Sequence, residues 1–265
     1  MEKLTDETLL VKAIFEAAKS KNDRKSVQKI LKNPDKYAKR LSCMLKNKTL
    51  YLRPHEPRKI DDGPRHKERD IAEPDFWPEQ VLHHAVLLVL KPIIMKGMYA
   101  YSCGSIPGRG NSYGKKYVER VLKNNSDTTK VCAKLDIKKF YCNIKISILK
   151  DKFRKIIHDA DFLWVIFLIL DSCPNIKGLP IGFYTSIWFA NFYLQEFDHY
   201  VKEILRVPHF VRFVDDIILF SQSKLHLQIC ISMIKDFLMD RLSLNLKQNY
   251  QVFFIASHKK ERGTR

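Results

Sequence analysis

The segment RFVDDIILF, residues 212–220, constrains the fold of this 265-residue chain more than any other. Two adjacent carboxylates, Asp215 and Asp216, stand between apolar runs. Val211 and Phe213 alternate with polar neighbours before the pair, and Ile217 to Phe220 follow as an apolar run. That pattern predicts the two arms of a β-hairpin with both acids at its tip. A tight turn accepts aspartates at little cost, and the tip concentrates negative charge of the kind that hard divalent cations seek. A purely structural turn fits the same nine residues, so the meaning of the pair depends on the rest of the chain.

Forty-five per cent of the residues are hydrophobic, enough for one large domain or two tightly joined lobes. No stretch reaches the ~18 consecutive apolar residues of a membrane span; FLWVIFLIL at 162–170 and VLHHAVLLVL at 81–90 fit buried helices instead. The charged start, MEKLTDETLL, lacks the apolar core of a signal peptide. The expectation is a soluble cytoplasmic protein with no membrane partner. Lys and Arg total 47 against 29 Asp and Glu, a net charge of +18. Such an excess favours polyanionic partners through phosphate contacts and counterion release, although a basic solubilising surface has the same composition. The cysteines at 43, 103, 132, 142, 173 and 230 form no C-x-x-C pair, which points to free thiols in a reducing compartment.

Along the chain, residues 1–50 read as a basic helical region. Leu9, Leu10, Ala13, Ile14 and Ala17 recur at helical spacing behind a cap at Thr5 or Asp6, and a second helix from about Ser26 to Leu31 breaks at Asn33-Pro34. Residues 51–78 are rich in proline and charge and predict short strands and loops. A buried helix over 79–98 ends at Gly97. The glycine-rich loop SIPGRGNSYGKK at 105–116 leads into a helix with Tyr117, Val118 and Val121 on one side. From Val131 onward strands and helices alternate.

Two further segments bear on chemistry. VCAKLDIKKFYCNI at 131–144 reads as a strand that ends in an acid, Asp136, placed to project into a cleft. GLPIGFYTSIWFANFYLQEFDHYV at 178–201 reads as a Gly/Pro loop opening a helix with Phe189, Ala190, Tyr193, Leu194, Phe197 and Val201 on its apolar face. Gly182 permits a close backbone approach, with Thr185 and Ser186 following at the helix start. Each has a bland alternative: a cap aspartate, and an ordinary core helix.

In this order, the three segments resemble polymerase motifs A, B and C of reverse transcriptases. The Asp136 block is similar to D-x-x-x-[FY]-[FY]-x-x-I, GLPIG-x-x-x-S to the palm loop and helix, and FVDD to Y-x-D-D, with Asp136, Gly178 and Asp215 successively 42 and 37 positions apart. The resemblance implies an α+β fold: fingers over 51–130 and a palm over 131–256, the palm an antiparallel sheet flanked by helices in the right-hand polymerase arrangement. It implies RNA-directed DNA polymerase activity, adding deoxynucleotides to a primer 3′-hydroxyl with two Mg²⁺ ions, or Mn²⁺ in their place. Asp136, Asp215 and Asp216 would be the catalytic metal ligands. Lys67, Arg69, Tyr141, Gly182 and Ser186 would bind the nucleotide, with Tyr141 crowding the sugar 2′-position and Phe140 in the core. Arg109, Gly110 and Phe213 would hold template or primer. The implied partners are an RNA template, a DNA or RNA primer and deoxynucleoside triphosphates.

Among reverse transcriptases, Ile181-Gly182 and the segments QVLHHAV and WFANFYLQEFDHYVKEIL resemble bacterial diversity-generating retroelement enzymes and their group II intron-like relatives. Four positions depart from that pattern: Ser186-Ile187 for Ser-Gln, Phe213 for Tyr, Pro78-Glu79 for Asp-Arg, and Tyr250 where a lysine is usual, with Lys247 three residues earlier. Residues 257–265 stand where the primer-grip turn and thumb would begin, so the thumb is expected to be absent or supplied by an accessory or separately encoded protein. A thumb-less nucleic-acid-binding remnant is the alternative reading. An RNA-dependent RNA polymerase is disfavoured by Val214, where those enzymes carry glycine.

Overall fold

The computed structural model describes residues 1–61 and 68–255. In chain order the helices are α1 (Glu2–Thr5), α2 (Glu7–Ala18), α3 (Lys25–Leu31), α4 (Pro34–Lys46), α5 (Val81–Met95), α6 (Asn111–Asn124), α7 (Phe140–Asn143), α8 (Ile146–Ile156), α9 (Ala160–Asp171), α10 (Ser186–Tyr193), α11 (Gln195–His199) and α12 (Lys224–Leu242). The strands are β1 (Arg58–Asp61), β2 (Glu68–Ile71), β3 (Ser102–Cys103), β4 (Val131–Asp136), β5 (His209–Phe213), β6 (Asp216–Ser221) and β7 (Gln251–Phe254). The chain divides into two compact units that interleave in sequence: residues 1–97 with 144–192, and residues 98–143 with 193–265.

In the first unit, the basic N-terminal helices bury an apolar stripe. Leu10, Ala13, Ile14 and Ala17 of α2 are buried, and α2 packs on α4 and α5. Asp6 caps α2 by accepting from the Thr8 amide at 3.2 Å. Pro34 does more than end α3: it opens α4 at its first position, where a missing N–H costs nothing. α5 reads apolar almost all round because it is buried on several sides. Phe153 of α8 stacks on Phe192 and meets Phe189 edge-on in α10. β1 and β2 form an exposed antiparallel hairpin.

The second unit is built on a five-stranded sheet in the order β3-β5-β6-β4-β7. All pairings are antiparallel except the short β3, which runs parallel to β5. This is the α+β palm arrangement the sequence leads one to expect, with a parallel edge that no periodicity announces. α12 buries Leu227, Ile231, Ile234 and Leu238 and packs on β4, β6 and β7. α6 packs on β3 and β5, where Tyr117 and Val121 join Cys103 and Val211 in a core cluster. All six cysteines are free thiols. Among the described residues, no helix is long and apolar enough to cross a membrane.

Candidate active site

Sheet register brings the three aspartates together. β4 and β6 pair so that Asp136, the last residue of β4, lies opposite Asp216, the first of β6. Val214 and Asp215 form the turn between β5 and β6, and the Ile137 amide donates to the Asp215 carbonyl at 3.3 Å, tying the hairpin tip to the end of β4. Alternation along the strands puts the apolar side chains of Leu135 and Ile217 into the core and leaves the acids at the ends of two central strands.

The cluster is electrostatically loaded. Burial, followed by repulsion from Asp136 and Asp216, raises the Asp215 carboxyl above its ordinary range, against a backbone hydrogen bond that lowers it. Burial and Asp136 likewise raise Asp216. Lys247 and, less strongly, Lys134 lower Asp216 against this; Lys247 Nζ donates to Asp136 Oδ2 at 2.5 Å and its backbone amide donates to the Asp136 carbonyl at 2.8 Å. That hydrogen bond raises the lysine's own pKa. Asp136 Oδ1 is buried and accepts no hydrogen bond from the described residues. An unsatisfied buried carboxylate oxygen is costly unless a further cation meets it.

This donor set fits a hard divalent ion that shares its coordination with a substrate. Among the described residues, no three His, Cys, Asp or Glu side chains gather tightly enough to hold a metal unaided. Magnesium does not require that, since it is usually bound by one or two carboxylates together with waters and substrate phosphates. Among the described residues, two cavities adjoin the acids. One of about 190 Å³ is lined by Lys134, Asp136, Asp216, Lys247, Asn249 and Tyr250. The other, about 310 Å³ and mainly apolar, has Gly114, Val118, Val211, Phe213 and Ile218 in its wall and Asp216 at its rim.

The remaining candidates fall as follows. Tyr141 is half-buried, and burial followed by the Asp215 charge pushes its phenol well above the usual range, so the ring stands within the field of the acids. Phe140 is 2% exposed and belongs to the core. Phe213 is half-buried at the end of β5. Arg109 Nη1 donates to the Tyr99 carbonyl at 3.1 Å, so part of its guanidinium is engaged within its own loop. Gly110 caps α6, and a Cβ there would meet nothing within 4 Å.

Arg69, Gly182 and Ser186 belong to the first unit. Arg69 is exposed on β2, and Lys67 lies outside the described residues. Gly182 has φ +107°, and a Cβ there would lie 2.2 Å from the Ala72 carbonyl oxygen. The Ala72 amide also donates to the Ile181 carbonyl at 2.8 Å. The close approach that this glycine permits is therefore to the residue directly after β2. Ser186 is buried and donates to the Pro180 carbonyl at 2.6 Å, closing the loop on itself. Gly182→Ala is expected to destabilise the chain by roughly 2–5 kcal/mol through backbone strain and overpacking. Chemical denaturation followed by circular dichroism checks this.

The sequence pattern aligns the family's lysine with Tyr250 and leaves Lys247 three residues earlier. Yet Lys247 pairs with Asp136, whereas Tyr250 accepts from Lys235 at 3.3 Å. The available signal was Leu244 and Leu246 alternating with it, which marks an extended segment next to β4.

Residues 80–256 match the family model described as reverse transcriptase (RNA-dependent DNA polymerase). The chain belongs to the reverse transcriptase family. Reverse transcriptases are nucleotidyltransferases, and the fold is that of the family's fingers and palm. No curated protein matches the sequence. Among solved structures, a Candida albicans telomerase in complex with a fragment of telomeric RNA aligns with a TM-score of 0.57 at 12% identity, covering 80% of this chain and 44% of that one. An apo Candida tropicalis telomerase truncated from its C-terminal domain gives 0.58 at 14%, covering 78% and 51%. At such identity the likeness concerns the fold alone. The chain spans about half the length of those chains.

Proposed function

We propose that the chain catalyses RNA-directed DNA synthesis. The observation that carries this reading is the register that sets Asp136 against Asp216 with Asp215 at the intervening tip. In the reaction, the primer 3′-oxygen forms a bond to the α-phosphorus of a deoxynucleoside triphosphate. The α–β bridging bond breaks, pyrophosphate leaves, and the hydroxyl proton passes to solvent. Asp136 and Asp215 would hold two Mg²⁺ ions, with Asp216 beside them, and the ions would supply charge stabilisation at the attacking and leaving oxygens. The side chains contribute position: Tyr141 restricts the sugar, Arg69 and Lys67 attract the triphosphate, and Arg109, Gly110 and Phe213 bear on template and primer. Lys247 holds Asp136 in place and offsets the repulsion among the acids. The motif reading Ile181-Gly182 favours the bacterial retroelement and group II intron-like lineage, with mobile-element replication or phage defence as its setting.

Primer extension on an RNA template tests the reading. Deoxynucleotide addition that requires Mg²⁺ and stops with a chelator is expected; absence of any addition under such conditions overturns it. Affinity for primer–template should come chiefly from the +18 charge. A log–log plot of affinity against salt should therefore fall with a slope of several units and little sequence preference, as fluorescence anisotropy would record.

A further inference from the structure

Val214, between Phe213 and Asp215, has φ +57°, a left-handed conformation that a β-branched residue holds only when its surroundings impose it. Two walls do so. On one side Gly104, itself at φ +92°, leaves room for the valine: a Cβ there would lie 2.7 Å from Val214 Cγ2. On the other, Arg212 Nη1 donates to the Val214 carbonyl at 2.8 Å. The guanidinium is wholly buried and anchored. Its Nε and Nη2 donate to Asp198 Oδ1 and Oδ2 at 2.6 and 2.7 Å, and Nη2 also donates to Ser102 Oγ at 2.6 Å. Asp198, on α11, is equally buried.

A buried ion pair of this kind is often no more stable than a well-packed apolar pair, so stability alone does not explain it. Its geometry has a further effect. The Val214 carbonyl precedes the Asp215 residue and the Asp215 carbonyl follows it. Arg212 holds the first, and the Ile137 amide holds the second. We infer that Arg212 is a positioning residue for Asp215: anchored on Asp198 and Ser102, it fixes the peptide from which the Asp215 carboxylate projects. The inference rests on the polymerase reading, in which Asp215 is a metal ligand. Arginine suits the task because its planar fork meets a carboxylate with two N–H groups and still offers a third nitrogen to a carbonyl. Lysine, a compact ammonium on a flexible stem, has three donors but no rigid planar fork to hold both partners in this geometry.

The test compares Arg212→Lys, and the paired apolar replacement Arg212→Met with Asp198→Leu, against wild type and Asp215→Asn. Mn²⁺ affinity is read by electron paramagnetic resonance without nucleotide, beside thermal unfolding and steady-state kinetics. Folded variants are expected to lose at least about tenfold in Mn²⁺ affinity and about 10²-fold in kcat, the scale of a misplacement near 1 Å. Their nucleotide KM and primer–template Kd should stay within about threefold of wild type. A variant that unfolds cooperatively and matches wild type in Mn²⁺ affinity and kcat overturns the inference. Should neither variant fold, Gly104→Ala presses on Val214 from the opposite wall: the same loss supports the inference, and unchanged Mn²⁺ binding overturns it. If wild type binds Mn²⁺ through Asp215 yet adds no nucleotide, the polymerase reading fails while the Mn²⁺ comparison still decides the role of Arg212. If wild type and Asp215→Asn bind Mn²⁺ alike, both fail.

Discussion

Asp136→Asn and Asp215→Asn should each lower Mg²⁺-dependent nucleotide addition by at least about 10²-fold, the scale on which losing one preorganised electrostatic stabiliser of a transition state lowers kcat. Affinity for primer–template should change little, because it rests on basic side chains rather than on these acids. Stability should not fall at Asp215, since burial and its two acidic neighbours already disfavour its ionised form. Removing that charge relieves repulsion. Asp216 is exposed at the start of β6, and Asp216→Asn should have a smaller effect. Primer extension together with anisotropy and thermal unfolding separates these outcomes.

The second large effect concerns the neighbouring rings of α7. Phe140, 2% exposed, should cost roughly 3–5 kcal/mol when cut to alanine, through lost burial and the cavity left behind. Tyr141 is only half-buried and stands in the field of Asp215. Tyr141→Ala should cost less stability and instead reduce discrimination between deoxy- and ribonucleotides, on the order of 10- to 10²-fold. Denaturant titrations and competing single-nucleotide additions measure the two properties separately. Interchanged phenotypes would show that the roles of the rings are reversed.

Much of this arrangement was legible in the sequence because it follows from local periodicity. The alternation around Asp215 and Asp216 predicts the β5–β6 hairpin, and the run ending at Asp136 predicts β4. The glycine-rich loop before Tyr117 and Val121 predicts α6 and its buried face. What stayed hidden depends on partners distant in the chain. Arg212 looks like an outward-facing polar residue in an alternating strand. Only the fold brings Asp198 and Ser102 to it, although a carboxylate within the apolar helix face at Phe197 and Val201 was a hint. Gly182 carries no sign that its approach is to Ala72, more than a hundred positions away in the chain. β3 is too short for any pattern, and the interleaving of the two units has no compositional marker.

If Asp215 ligates the catalytic metal, as proposed, a thiolate in its place should change which ion supports synthesis. A thiolate favours soft Cd²⁺ and Zn²⁺, accepts Mn²⁺ less readily and disfavours hard Mg²⁺. Asp215→Cys should add no measurable nucleotide with Mg²⁺ on an RNA template and should regain addition when Mn²⁺ or Cd²⁺ is supplied, while Asp215→Ala regains none. Equal activity of Asp215→Cys and wild type with Mg²⁺, or equal rescue of the alanine and cysteine variants, would contradict it.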